Sequence, residues 1–140
     1  MDTEYCVELR VTLEPKGQPW ISVDANGQIK AQQLTQTTEF DFKFYTHPGP
    51  CSLKIEHFKK DDNDPTTAVI IQKISFFGIE DQRFIWSGIY KPDYPEHYPD
   101  KVPEISNTTY LGWNGVWTLD FTAPVFTWIH QLQNLGWMYQ

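Results

Sequence analysis

The chain has 140 residues, 40% of them hydrophobic and 16% aromatic, with a formal net charge of −7 and a pI near 4.9. That length fits one domain over residues 1–140, and a domain of this size buries roughly two thirds of its unfolded surface, so one core can hold it together. The acidic balance argues against nucleic acid and anionic membranes. The longest basic run is Lys59-Lys60, followed at once by Asp61-Asp62, whereas phosphate neutralisation needs a basic face.

Alternation dominates the chain from its start. In Cys6–Leu13, Val7, Leu9, Val11 and Leu13 share one face while Glu8, Arg10 and Thr12 share the other, the pattern of a half-buried strand. Trp20–Val23 is a second strand. Asn26-Gly27 closes it as a type I′ hairpin turn, because both central positions accept positive φ, and Ile29–Leu34 returns as its partner. Glu39–Tyr45 is the clearest strand, with Phe40, Phe42 and Phe44 on one face, a pattern that a helix would scatter around its axis. After the turn at His47–Pro50, Cys51–Phe58 alternates again with Leu53 and Ile55 inward.

A polar loop, Lys59–Thr66, leads to a long β-branched strand over Ala68–Phe77. A turn is expected at Gly78 with Glu80-Asp81, and another strand over Arg83–Tyr90. Lys91–Asn107 carries Pro92, Pro95, Pro99 and Pro103 and is read as a long loop, since proline excludes a central strand or helix interior. Thr109–Trp113 and Val116–Phe121 flank Asn114-Gly115, which predicts a second hairpin. Pro124 and Gly136 bracket a short C-terminal helix over Val125–Leu135. The expected fold is all-β: an antiparallel, jelly-roll-type β-sandwich with at most one short C-terminal helix.

Three features bear on chemistry. Asp61-Asp62-Asn63-Asp64 groups oxygen ligands of the kind Ca²⁺ takes, without EF-hand spacing; a solvated turn of Asp and Asn is the alternative. The proline-stiffened loop from Tyr90 to Tyr98 offers Tyr90, Tyr94 and Tyr98 as flat rings for a sugar face or a protein surface, with Asp93, Glu96 and His97 as hydrogen-bonding groups. The alternative is a connector whose rings pack back on the sandwich. Asp93, Glu96, Asp100 and Glu104 could form the acid and base pair of a saccharide-acting enzyme, but solvated surface carboxylates are the simpler reading.

The four histidines, His47, His57, His97 and His130, have no zinc-site spacing. Cys51 and His57 share a strand face but lie about 20 Å apart by strand rise, too far for a nucleophile pair. Cys6 and Cys51 are read as two buried or half-buried thiols, a disulfide needing an oxidising compartment. No nucleophile elbow, phosphate loop or dinucleotide fingerprint occurs, which points away from an enzyme. The N-terminus has no apolar segment of a signal peptide, and no run approaches the ~20 residues of a membrane span, so a cytoplasmic or virion location without membrane insertion is expected. Trp117 suits the core, whereas Trp137 and Tyr139 near the chain's end suit a cap or a contact with a neighbouring subunit.

Gly17-Gln18-Pro19-Trp20-Ile21-Ser22-Val23 with Asn26-Gly27, and later Asn63-Asp64 before Ala68-Val69-Ile70 through Ile74 and Gly78, resemble the calcium-dependent xylan-binding carbohydrate-binding modules over about residues 7–79. The resemblance implies a jelly-roll that binds glycan hydroxyls through a loop-bound Ca²⁺, with Asp62 and Asp64 as the metal ligands. Where that family carries an acidic residue just before the strand after the loop, Thr66 and Thr67 stand here. The second half, from Trp86 to Gln140, resembles small uncharacterised proteins of tailed bacteriophages. Glycan binding in host recognition is therefore the leading expectation. A virion subunit that binds other proteins, as a homo-oligomer or beside a virion neighbour, is the second.

Overall fold

The structure is a computed structural model. It describes residues 4–61, 64, 66–99 and 101–138, and within 134–138 the backbone alone. Asp62, Asp100 and Tyr139, and the side chain of Trp137, lie outside the described residues.

Eleven described strands form two antiparallel sheets. The five-stranded sheet orders β10 (Tyr110–Leu111), β6 (Ala68–Phe76), β1 (Tyr5–Lys16) and β4 (Thr38–Thr46), with β7 (Ile79–Glu80) paired to β6. The six-stranded sheet orders β3 (Gln28–Gln33), β2 (Trp20–Ala25), β5 (Gly49–Phe58), β11 (Gly115–Ala123), β8 (Ile89–Pro92) and β9 (Ile105–Ser106). The architecture is the expected jelly-roll-type sandwich.

The alternation read from the sequence sets what each sheet buries. Val7, Leu9 and Val11 of β1 meet Phe44, Phe42 and Phe40 of β4 in register and, together with Leu13, face the core. Leu53 and Ile55 of β5 and Trp117, Leu119 and Phe121 of β11 supply the opposing layer. Each such side chain contributes about 1.5–3 kcal/mol when fully buried, so the two facing layers carry most of the stability. The first hairpin forms as expected: Asn26 and Gly27 have φ of 51° and 100° between the paired Ala25 and Gln28.

Three local expectations are corrected. Arg83–Tyr90 is not one strand: Gln82–Trp86 is a single helical turn, α1, and only Ile89 onward is strand. Asp81 caps that helix by accepting from Arg83 N at 2.9 Å, and the consecutive burial of Phe84 and Ile85 fits a helix where a strand would alternate. The turn before it falls at Phe77-Gly78, so Glu80 already belongs to β7. Asn114-Gly115 does not close a hairpin: β10 pairs with β6 in one sheet and β11 with β5 and β8 in the other, so this dipeptide crosses between layers.

The C-terminal helix α2 (Val125–Met138) starts where expected and runs past Gly136. It covers the end of the sandwich where β6 and β11 finish, and Trp128 joins Phe76, Phe84 and Phe121 in an aromatic cluster with centroids 5.1–5.9 Å apart. The loops at the opposite end are therefore left uncovered by helix. Among the described residues no helix is long and apolar enough to cross a membrane.

Candidate functional site

Register places three loops at that uncovered end. Phe58, Ala68 and Gly115 are the strand residues there, so 59–67, 93–104 and 112–114 all emerge together. Asn114 fastens the first to the third: its Oδ1 accepts from Lys60 N at 2.8 Å and its Nδ2 donates to Lys60 O at 3.0 Å. Asp93 N donates to Asn114 O at 2.6 Å, which adds the second loop. Gly115 has φ of 151°, and a Cβ there would stand 2.4 Å from Lys91 O, so only glycine lets the crossing pass so close to β8.

Lys60 is the cation at the centre. Its Nζ donates to Thr67 O at 2.7 Å and to Gly112 O, and sits 4.2 Å from the centroid of the Trp113 ring. Burial pushes its pKa down, while the nearby Asp64 carboxylate pulls the other way. Three contacts hold this ammonium, so it serves the loops before it can serve a ligand.

Tyr94 and Tyr98 stand beside Trp113. A turn closed by Tyr98 N donating to Pro95 O at 3.0 Å brings the two tyrosines together, centroids 4.7 Å apart and planes within 6°. Both present to Trp113 edge-to-face, at 6.3 and 5.3 Å. Tyr94 and Tyr98 remain half-buried, and Asp93, Glu96 and His97 are exposed around them. The Tyr94 hydroxyl is pushed up by burial and then by the adjacent Tyr98.

Tyr90 is different. It lies in the core at 1% exposure, donates its hydroxyl proton to Trp113 O, and accepts from Trp113 N at 3.1 Å. Burial pushes its pKa far up. The expectation of Tyr90 as a ligand-binding ring is thereby corrected: strand β8 alternates, and Tyr90 falls on its inward face, where it positions Trp113 from below.

The acidic loop tests the implied metal. Asp64 Oδ1 accepts from Thr66 N and Thr66 Oγ1 at 2.8 Å and from Thr67 N at 3.3 Å, and Oδ2 accepts from Thr67 Oγ1. A carboxylate offers about four lone-pair positions; three of these donors crowd Oδ1 and one takes Oδ2. The Thr67 hydroxyl, then the Thr66 donors, hold the carboxyl well below the usual range. In this conformation Asp64 is turned onto its own loop, and calcium would compete there with the threonine donors. Asp64 is a turn residue, and the threonines that replace the family's acidic position are its donors. Among the described residues no group of three His, Cys, Asp or Glu side chains converges as a metal site.

The remaining candidates do not join the cluster. Glu104 pairs with Lys91 at 3.7 Å, both exposed. Cys6 is half-buried, Cys51 is buried, and both are free thiols; burial raises the pKa of Cys51. His57 is buried, with Nδ1–H donating to Leu111 O at 3.0 Å and Nε2 without a hydrogen-bond partner. A shallow concavity of about 380 Å³ lies on the outer face of the five-stranded sheet, but the charges lining it pair with one another, Arg10 with Asp41 at 2.5 Å and Lys43 with Glu8 at 3.8 Å.

Lys60, Trp113 and Asn114 join the site without standing out in the sequence. Asn114-Gly115 has the composition of a hairpin turn, and no local pattern shows that a lysine 54 positions earlier meets it.

No protein-family profile and no curated protein matches the sequence. Two solved structures share the fold. One is vCBM60 in complex with galactobiose, with a TM-score of 0.53, 14% identity, and coverage of 80% of this chain and 96% of that one. The other is the selenomethionine form of vCBM60, described in the context of two families of calcium-dependent carbohydrate binding modules linked by circular permutation; its TM-score is 0.54 at 15% identity, covering 81% and 89%. The chain thus has the sandwich fold of these carbohydrate-binding modules.

Proposed function

We propose that the loop end of this sandwich binds a glycan without catalysing its cleavage, with Tyr94, Tyr98 and Trp113 supplying ring faces and edges and Asp93, Glu96 and His97 the groups for hydroxyls. The observation that carries the reading is the stacked Tyr94–Tyr98 pair, set edge-on to Trp113 and rimmed by exposed polar side chains. Aromatic surface with a few convergent polar groups suits a ligand that is apolar on its faces and hydroxylated at its edges. The shared fold with a module seen holding galactobiose supports the same reading. The resemblance of the second half to tailed-phage proteins extends it to attachment at a host surface. Asp64 is engaged by Thr66 and Thr67 of its own turn, and this mode of binding draws on the rings and the exposed polar groups rather than on a metal at that residue.

The test is calorimetric titration with galactobiose and a panel of neutral oligosaccharides. Tyr98→Ala is expected to weaken binding about tenfold, the worth of one aromatic contact, with a cooperative unfolding transition at a modestly lower temperature, since the ring also leaves Tyr94 and Trp113. Wild-type protein that binds no glycan in the panel would remove the proposal.

A specific observation favours a second reading, a protein contact at the opposite end. Phe126 and Trp86 are 57% and 52% exposed there, and Phe126 stacks on Phe77 at 4.6 Å. Large exposed rings mark interaction surfaces. Sedimentation that shows a strict monomer at high concentration, unchanged by Phe126→Ser, would count against self-association through this end.

A further inference from the structure

Lys59 and Lys60 are adjacent, yet their ammonium groups serve different rings. Lys60 lies against Trp113 in the loops. Lys59 Nζ lies 4.5 Å from the centroid of Trp20 and 5.8 Å from that of Phe58. Trp20 and Phe58 are cross-strand partners on β2 and β5, with centroids 6.3 Å apart and planes at 43°. Their neighbours Ile21 and His57 are buried, which puts both rings on the outer face of the six-stranded sheet. Trp20 keeps 36% of its surface open to solvent, and Lys59 is exposed. The backbone of Lys59 has φ of 58°, a left-handed conformation that disfavours a non-glycine residue. This kink ends β5, and it is here that the two lysines part toward separate aromatic groups.

The sheet register relates this platform to the loops. Trp20 flanks the end of β5 on one side, opposite Phe58, while Gly115 flanks it on the other, opposite His57. Two strand spacings, about 10 Å, separate the backbones. Trp113 is two residues from Gly115, so its backbone lies within roughly 17 Å of that of Trp20, at the same end of the sandwich and on the scale of a short oligosaccharide.

We infer that Trp20, Phe58 and Lys59 form a second saccharide subsite, which makes the protein select neutral oligosaccharides longer than a disaccharide. The inference rests on the glycan reading of the loop end. Trp20 offers the part of its indole that stays open to solvent beside the Lys59 ammonium, and the N–H donors of Lys59 are suited to hydroxyl oxygens. The net charge of −7 and the outward Glu56, two residues from Phe58 on the same face, disfavour polyanionic chains, which selects neutral sugars.

The experiment titrates wild type, Trp20→Ala, Lys59→Ala and Tyr98→Ala with galactobiose and with galactotetraose, and follows thermal unfolding of each. Wild type is expected to bind the tetraose about tenfold tighter than the biose. Trp20→Ala removes that gain and leaves biose binding as in wild type. Lys59→Ala, an exposed position that does not endanger folding, reduces the gain about threefold. Tyr98→Ala weakens both ligands. Equal wild-type affinity for the two sugars overturns the second subsite while the loop site stands, as does a tetraose preference that survives both Trp20→Ala and Lys59→Ala. Loss of biose and tetraose binding to the same degree in Lys59→Ala also overturns it. If wild type binds neither sugar, the subsite falls together with the glycan reading.

Discussion

Stability should fall as pH drops through the mid-acid range, and His57 should be the cause. Its imidazole is buried beneath the loop end, with Nδ1–H on the Leu111 carbonyl and Nε2 facing no partner. Burial chiefly lowers its pKa from the ordinary 6.5; Lys60 pushes the same way, and Asp64 and the carbonyl bonds push back. In the unfolded chain the ring takes up a proton below pH 6.5, whereas in the folded chain it stays neutral until a lower pH. The unfolded state therefore binds more protons in that window, so stability is complete above 6.5 and declines as pH falls toward the folded pKa. If the folded ring stays neutral throughout, the loss between pH 7.5 and 5.5 is about 1.4 kcal/mol. Urea denaturation at the two pH values measures it. His57→Leu should be less stable at pH 7.5 by about 1 kcal/mol, since the Leu111 carbonyl loses its donor, but it should lack the wild type's extra loss at pH 5.5. His47, His97 and His130 are exposed and common to both proteins, so the difference in slope isolates His57. Equal slopes in wild type and His57→Leu would refute the reasoning.

Two further predictions concern the core and the metal. A Cβ at Gly88 would meet Cζ2 of the fully buried Trp117 at 2.0 Å, so Gly88→Ala should destabilise by about 3 kcal/mol, the upper end of overpacking costs, read as a drop in denaturant midpoint. An unchanged midpoint would mean that the indole moves aside freely. Calcium at a hundred times its Kd would add about 2.7 kcal/mol if it bound the native state, about 8–10 °C for a domain of this size. Because Thr66 and Thr67 already engage Asp64, added Ca²⁺ or chelator should leave the melting temperature unchanged. A rise of that size that disappears in Asp64→Ala would show that Asp64 exchanges its threonine donors for metal.

The sequence by itself determined the layers. Period-two alternation in 6–13, 39–45 and 51–58 fixes which side chains face inward, because a pleated strand has only two faces, and those residues are the core. It also identified the Asn26-Gly27 turn, the helix after Pro124, and Tyr90, Tyr94 and Tyr98 as rings of one stiff loop, of which only Tyr94 and Tyr98 stack together. Tertiary structure decided what depends on contacts between distant segments. Tyr90 belongs to the core because β8 lies beside β11, and Asn114-Gly115 crosses between sheets because Asn114 bonds to Lys60 and Gly115 passes against Lys91. The acidic loop carried a calcium pattern in its composition, yet the Asp64 carboxylate is spent on Thr66 and Thr67, a choice made by local hydrogen-bond geometry that composition does not encode. The two loops singled out separately, 59–66 and 90–104, become one surface only when Lys60 and Trp113 join them, since that contact links residues far apart in the chain and leaves no periodic trace.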